Sequence, residues 1–399
     1  MSFAELPHES AIPLHPFKID TPQSELDDLK ALLAATRLPT KTFENVQTKD
    51  NFGVTRKWIV EAKDTWLNSF DWRKQEERIN AIPAFLASVK NEDGNDFTIH
   101  FAALFSKRSD AIPIIFSHGW PGSFLEFLPM LEMLKSRYKP DDLPYHLIVP
   151  SLPGFAYSSK PGTEDDFKAS TIAYLFNQLM TGLGFESYAA QGGDIGSTVS
   201  CDLALTYPSC KVAHINFKGM QFPPEGTPEY KSPPLANDMK LKLQNFAYAM
   251  EHATRPSTVG LVVGCNPISL LAWLGEKYME WSDITPSLET ILSFTTLYWL
   301  TDTYPSSIYT YRWSFGVRSF QQPSPEYVSR PLGYSKFPKE ILAVPASWVA
   351  TTGNLVWSRD HEGEKGGHFA ALEVPEMLWD DMEEFLRVAW GMDGKQKPT

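Results

Sequence analysis

The sequence predicts an α/β fold with a mostly parallel sheet, because strand and helix patterns alternate through its middle part. Five short apolar segments have strand character, and helical spacing fills two of the intervals between them. Strands that alternate with helices form parallel sheets, since each helix returns the chain to the starting edge. The strands are predicted at 97–104, 112–117, 146–150, 188–191 and 212–217, and the helices at 170–183 and 197–207.

The flanking parts of the chain predict how this sheet is covered. The N-terminal part is helix-prone without strand-like alternation, and we expect it to wrap around the core. A Pro-rich loop at 223–228 opens a block of long helical stretches, near 240–252, 268–281 and 288–303. Strand character resumes at 345–350, and a last helix fits 375–390. The predicted division is a wrapping segment at 1–95, a first core part at 96–219, a helical lid at 220–335 and a second core part at 336–399.

Composition restricts the partners and the compartment. The formal net charge of −12 disfavours nucleic acid and anionic membrane surfaces. Three cysteines, Cys201, Cys210 and Cys265, have no metal-ligand spacing and suggest a reducing compartment. The N-terminus has no basic start, and no apolar run approaches the ~18 residues of a membrane span. We therefore expect a soluble, cytoplasmic protein. Aromatic residues make up 13% of the chain, which is enough to line a large apolar pocket.

The pentapeptide Gly192-Gly193-Asp194-Ile195-Gly196 lies where the fourth predicted strand joins a helix. Small residues two before and two after a central nucleophile are typical of a sharp strand-to-helix turn. Serine is the usual nucleophile there, and Asp194 takes its place. The alternative is a plain turn in which Asp194 only caps the helix. A dinucleotide loop is disfavoured because no GxGxxG follows the first strand.

Two further motifs occur in the chain order of a hydrolase. The loop His118-Gly119-Trp120-Pro121-Gly122-Ser123 follows the second strand, and the backbone N–H of Trp120 would pair with that of Ile195 as an oxyanion hole. A cis Trp120–Pro121 bond would suit this turn. Gly366-Gly367-His368-Phe369 offers His368 as the base, with His361 as the rival.

The chain resembles the epoxide hydrolases of the α/β-hydrolase superfamily, in the microsomal-type branch with soluble fungal members. HGWPGS, GGDIGS and GGHFAALE carry this resemblance, which spans almost the whole chain. It implies an α/β-hydrolase fold, and it implies that two lid tyrosines bind the epoxide oxygen. Tyr248 matches the first of these, and Tyr311 matches the second better than Tyr309 does. Glu340 matches the acid that orients His368, with Asp360 as the alternative.

The resemblance also implies a reaction. An epoxide would alkylate Asp194, and water activated by His368 would hydrolyse the ester to a vicinal diol. No metal or organic cofactor is expected, the partner is a small epoxide of the styrene-oxide kind, and a homodimer is expected by analogy with the fungal relatives. One alternative is a haloalkane dehalogenase, which commonly has tryptophan where Ile195 stands. The other is a catalytically silent binding protein, which would be expected to lose the histidine or the oxyanion loop. A serine-type esterase is disfavoured by Asp194 itself.

Overall fold

A twisted sheet forms the centre of the molecule in the computed structural model, which describes residues 2–47, 52–164, 167–220, 246–315 and 326–392. Within these residues the sheet has nine strands in the order β1-β2-β3-β5-β4-β6-β7-β8-β9. The pairs β1–β2, β2–β3 and β3–β5 are antiparallel, and the remaining pairs are parallel. The strands are β1 Leu14–Phe17, β2 Ala84–Lys90, β3 Asp96–Leu104, β4 Ile112–Ser117, β5 Tyr145–Pro150, β6 Tyr188–Gly192, β7 Cys210–Ile215, β8 Val328–Lys336 and β9 Gly353–Asp360. The five strands predicted between 97 and 217 are confirmed, as is the mostly parallel sheet.

Helices lie on both faces of this sheet, so its central strands are apolar on both faces. Ile114, Ile115, Leu147 and Ile148 of β4 and β5 are fully buried. The helices of the first part of the chain are α1 Gln23–Ala35, α2 Phe43–Val46, α3 Arg56–Asn68, α4 Trp72–Asn80, α5 Leu128–Arg137, α6 Ala169–Gly182 and α7 Asp194–Thr206, with a 3₁₀ helix at Phe124–Phe127. Helix α7 packs on α6, β6 and β7, which brings the start of α7 to the carboxyl edge of the parallel strands.

A helical block lies between β7 and β8, and we call its described residues, 246–315, the lid segment. Residues 246–254 are helical. The helices predicted at 170–183, 197–207, 268–281, 288–303 and 375–390 are each found within three residues of their expected bounds. The remaining helices are α8 Pro256–Gly264, α9 Pro267–Glu280, α10 Leu288–Leu300, α11 Tyr304–Ser307, α12 Tyr311–Ser314, α13 Ala346–Val349, α14 Ala370–Glu373 and α15 Pro375–Ala389. The predicted loop at 223–228 and the start of the helix predicted at 240–252 lie outside the described residues.

Three details of the prediction are wrong. The segment predicted as a strand at 345–350 is the short helix α13, and Pro345 before it is in extended conformation. A segment of four residues is too short for its sequence pattern to distinguish a helix from a strand. Strand β8 lies almost wholly within the residues assigned to the lid, because Pro331 and Gly333 obscure its pattern. The N-terminal segment contributes strands β1 and β2 although no alternation was expected. In β2 the buried face includes Ala87, whose small side chain weakens the apolar signal.

In the described part of the chain, no single helix is long and apolar enough to cross a membrane. Helices α8 and α9 reach that length and apolar character only together, and they are bent by 112° relative to each other.

Candidate active site

The turn between β6 and α7 holds Asp194 in a conformation that few side chains adopt. Its φ of 48° lies in the left-handed region, which L residues with a Cβ occupy at a cost. A Cβ on Gly196 would lie 1.9 Å from the carbonyl oxygen of Ser117, and a Cβ on Gly192 would lie 2.2 Å from the carbonyl oxygen of Gly196. The two flanking glycines are therefore required by backbone contacts, and the turn lifts the Asp194 side chain above the sheet edge.

The loop after β4 supplies hydrogen-bond donors to this carboxylate. The backbone N–H of Trp120 donates to Asp194 Oδ1 over 2.8 Å, and the N–H of Ile195 also donates to the Asp194 carboxylate. A Cβ on Gly119 would lie 2.3 Å from Asp194 Oδ1, so glycine is needed where the loop approaches. The Trp120–Pro121 bond is cis, as predicted. Two N–H groups that converge on one carboxylate are placed to stabilise an oxyanion that develops there.

His368 lies on the other side of the carboxylate and is held by an acid. Its Nε2 is 3.6 Å from Asp194 Oδ2, and its Nδ1 is 2.6 Å from Glu340 Oε1. The backbone N–H of His368 donates to the Trp281 carbonyl in the lid segment over 2.9 Å. A second contact ties the Glu340 loop to the histidine loop, since the Lys339 N–H donates to the Gly366 carbonyl over 3.1 Å.

The rival acid and the rival base lie elsewhere. Asp360 is half exposed and accepts a hydrogen bond from Lys336 Nζ over 2.8 Å. His361 is buried against the ring of Phe337 and bonds to Asp381 through Nε2 over 2.7 Å. Among the acids considered, the described structure brings Glu340 alone to His368.

Two lid tyrosines face Asp194 across a cavity. Tyr248 and Tyr311 line a space of about 190 Å³ together with Asp194, and their hydroxyl groups are hydrogen-bonded to each other. The competing Tyr309 uses its hydroxyl elsewhere, because it donates to the Pro153 carbonyl over 3.0 Å. The aromatic walls of the cavity are Phe217, Phe246 and Phe315.

Burial and charge shift the pKa values of the site in opposing directions. Burial raises the pKa of Asp194, against the lowering effect of His368 and of the Trp120 and Ile195 N–H groups. Burial lowers the pKa of His368, but the Glu340 carboxylate outweighs it, with Asp194 adding to the effect, and brings that pKa to about 9. Burial also raises the pKa of Tyr248 and of Tyr311. The free site therefore favours an imidazolium between two carboxylates, with both phenols protonated.

One buried acid near this centre was missed by the sequence reasoning. Glu126 lines a small cavity together with Asp194 and His368. The available signal was an acidic residue inside the apolar run Phe124-Leu125-Glu126-Phe127-Leu128, just after the HGWPGS loop. A lone carboxylate in such a run is unusual for a buried segment.

The elbow, the two backbone donors and the buried His368–Glu340 pair define a hydrolase of the α/β-hydrolase fold. A family model described as "alpha/beta hydrolase fold" matches residues 112–259, and one described as "Epoxide hydrolase N terminus" matches residues 14–127. The solved Aspergillus niger epoxide hydrolase is 44% identical, with a TM-score of 0.88 over 98% of this chain and 100% of that one. An enantioselective mutant of the Aspergillus niger enzyme, generated by directed evolution, is 45% identical with a TM-score of 0.90 at the same coverage. Epoxide hydrolase 1 of Oryctolagus cuniculus is 30% identical over 94% of this chain and 88% of its own length. The chain belongs to the epoxide hydrolase family.

Proposed function

We propose that this enzyme converts epoxides to vicinal diols through an ester formed on Asp194. The observation that carries the proposal is the environment of the Asp194 carboxylate. Oδ1 accepts the Trp120 N–H at 2.8 Å, whereas Oδ2 has His368 Nε2 3.6 Å away, and the Asp194 side chain lines the cavity. A carboxylate held by one oxygen presents the other as a nucleophile, and it needs no base to activate it.

In the first step, Asp194 Oδ2 attacks an epoxide carbon. The Oδ2–C bond forms, the C–O bond of the ring breaks, and its electron pair goes to the epoxide oxygen. An alkoxide is a poor leaving group, so it requires a proton as the ring opens. The hydroxyl of Tyr248 or Tyr311 donates that proton, and the paired phenol stabilises the resulting tyrosinate by hydrogen bonding.

Esterification changes the charge around His368. The Asp194 carboxylate is one of the groups that raise the pKa of His368, and the ester carries no charge. The pKa of His368 therefore falls once the ester has formed. The imidazolium releases its proton to solvent, and the neutral imidazole becomes available as a base. His368 takes up a proton from solvent again when the Asp194 carboxylate is restored. The hydrogen bond from Nδ1 to Glu340 keeps Nε2 directed at the ester.

In the second step, His368 Nε2 takes a proton from water, and the hydroxide attacks Cγ of Asp194. The negative charge that develops on Oδ1 is stabilised by the N–H groups of Trp120 and Ile195. Collapse breaks the bond from Cγ to the diol oxygen, which takes the proton from His368. The Asp194 carboxyl then releases its proton to solvent, and the tyrosinate regains one.

The cavity favours a small aromatic epoxide. Its volume of about 190 Å³ and its walls of Phe217, Phe246 and Phe315 suit one ring, since a cavity of roughly 150 Å³ admits benzene. Styrene-oxide-like compounds are the predicted substrates.

A single turnover in oxygen-18 water with enzyme in excess tests the proposal. The expected result is label in the peptide that contains Asp194 and an unlabelled diol, because the oxygen added to the substrate comes from the carboxylate. Label that enters the diol directly would overturn the ester route. Asp194→Asn is the control, and it should be folded and without turnover.

A further inference from the structure

A buried carboxyl group beside the catalytic centre has no part in the mechanism above. Glu126 is 9% exposed and lies in the 3₁₀ helix Phe124–Phe127. A buried acid is costly unless it is neutral or well bonded. Glu126 has no ion pair within the described residues, and the backbone N–H groups of Ser123 and Gly119 donate to its carboxyl group. These backbone bonds hold the carboxyl group in place beside Asp194 and His368, where it borders the same small cavity.

The local structure directs this side chain into the site. The Ser123 hydroxyl caps the 3₁₀ helix by accepting the Leu125 N–H over 3.2 Å, and the Glu126 N–H donates to the Ser123 carbonyl over 3.0 Å. The lid segment holds the preceding loop from the other side, where the Tyr298 hydroxyl donates to the Gly122 carbonyl over 2.9 Å. The backbone that leads to Glu126 is thus bonded both within its own turn and to the lid segment.

Gly122 provides the space for the Glu126 carboxyl group. A Cβ on Gly122 would lie 1.3 Å from Glu126 Oε1, so the carboxyl occupies the place where any larger residue at 122 would put its side chain. The backbone conformation at position 122 does not itself require glycine, because its φ is outside the left-handed region. The glycine at this position of the HGWPGS loop serves to admit the carboxyl.

The carboxyl group borders a cavity that also contains both reacting groups. Gly119, Asp194 and His368 line it with Glu126, and the space open to the centre of a water molecule is about 10 Å³. That is room for about one water. Electrostatic interactions link Glu126 and His368 in both directions, and the Asp194 charge acts on Glu126, which agrees with their closeness.

We propose that Glu126 is a positioning residue that holds the hydrolytic water between His368 and the ester of Asp194. This inference rests on the ester mechanism proposed above. The water donates one hydrogen to His368 Nε2 and the other to an oxygen of Glu126, which aims its lone pair at Cγ. The first proton moves to His368, and the second stays on the attacking oxygen. Glu126 therefore neither gains nor loses a proton.

The charge state of Glu126 is compatible with this role. Burial raises the pKa of Glu126 to about 8, with Asp194 adding to the rise and His368 opposing it. Near neutral pH the group is mostly protonated, so it adds no negative charge beside Asp194 that would hinder attack by hydroxide. Its carbonyl oxygen still accepts a hydrogen bond from water.

Rapid-quench kinetics with intact-protein mass spectrometry separate the two steps, using styrene oxide as the probe. For Glu126→Ala we expect decay of the alkyl-enzyme to slow about tenfold, the rate equivalent of one hydrogen bond, with little change in its formation. Glu126→Gln keeps an acceptor oxygen and should recover most of the decay rate. Gly122→Ala should resemble Glu126→Ala, because its methyl group displaces the carboxyl.

Glu132→Ala is the matched control, since Glu132 pairs with Arg78 on the surface, and both of its rates should stay at the level of the unmodified enzyme. Equal slowing of both steps in Glu126→Ala, no slowing of decay, or no recovery in Glu126→Gln would overturn the inference while leaving the ester mechanism standing. If the unmodified enzyme forms no alkyl-enzyme at all, both proposals fail.

Discussion

Glu340 and His368 are 28 residues apart in the chain, and their side chains meet in a hydrogen bond of 2.6 Å between Oε1 and Nδ1. Glu340 is buried, and its Oε1 also accepts the backbone N–H of Ile341 over 2.7 Å. The acid is therefore held in place independently of the histidine, and this position suits the proposed role of Glu340 in orienting the ring of His368.

Removing this acid should affect the second step. In Glu340→Gln we expect hydrolysis of the ester to slow by about a hundredfold, because the imidazolium that forms loses its counter-charge. Formation of the ester should change much less, since Asp194 needs no base. Asp360→Asn is the control and should leave both rates nearly unchanged. A larger effect of Asp360→Asn on hydrolysis would reverse the assignment.

The paired lid phenols predict a defect in the first step. Tyr248→Phe and Tyr311→Phe should each slow ester formation about tenfold, and the double variant about a thousandfold, because one phenol partly replaces the other as proton donor. Single-turnover formation of the alkyl-enzyme measures the effect. Tyr309→Phe loses only its bond to Pro153 and should alkylate at the normal rate; a defect there as large as in Tyr311→Phe would contradict this choice.

Loss of the histidine should trap the ester. In His368→Gln, Asp194 is still able to attack, whereas water has no base, so the alkyl-enzyme should accumulate. Intact-protein mass spectrometry should then find a gain equal to the mass of the epoxide, located in the Asp194 peptide. His361→Gln should turn over without accumulation, since His361 bonds to Asp381 away from the site. An unmodified mass for His368→Gln after incubation would argue against the mechanism.

The raised pKa of His368 predicts how stability depends on pH. The folded-state pKa is about 9, compared with 6.5 for an unperturbed histidine. The folded state therefore binds more protons between these values, so the contribution of His368 to stability is complete below pH 6.5 and is lost as the pH rises through 9. Urea unfolding at pH 6 and at pH 9.5 checks this. The stability advantage of the unmodified enzyme over His368→Gln should shrink at the higher pH, and an advantage that grows would contradict the sign.

The elbow predicts a large cost for a single methyl group. In Gly196→Ala the new Cβ would lie 1.9 Å from the Ser117 carbonyl oxygen. Both partners of this contact are backbone, so relieving it requires a costly movement of the chain. We expect destabilisation at the upper end of the ~1–3 kcal/mol typical of overpacking, with loss of activity. Thermal unfolding measures it, against Gly391→Ala, where nothing lies within 4 Å of the new Cβ. Equal melting temperatures for the two variants would show that the turn relaxes.

The strands and the motifs at their ends were predictable because they depend on local patterns. The buried strand β4 and the glycines around Asp194 are apparent from neighbouring residues alone, since burial on both faces and a sharp turn each demand particular residue types. Strand β8 was missed because Pro331 and Gly333 hide its pattern, although pairing with β7 and β9 stabilises it. Long-range pairing overrides a weak local signal there.

By itself, the sequence determined that a carboxylate occupies the nucleophile position, and it supplied the HGWPGS loop and a glycine-flanked histidine in the right order. Only the tertiary structure decided which distant side chains join them. Glu340 and Tyr311 were each one of two candidates along the chain, and Glu126 was not a candidate at all. The reason is physical: a hydrogen bond requires atoms within about 3 Å, and residues far apart in sequence reach that separation only when the packed sheet and lid bring their loops together.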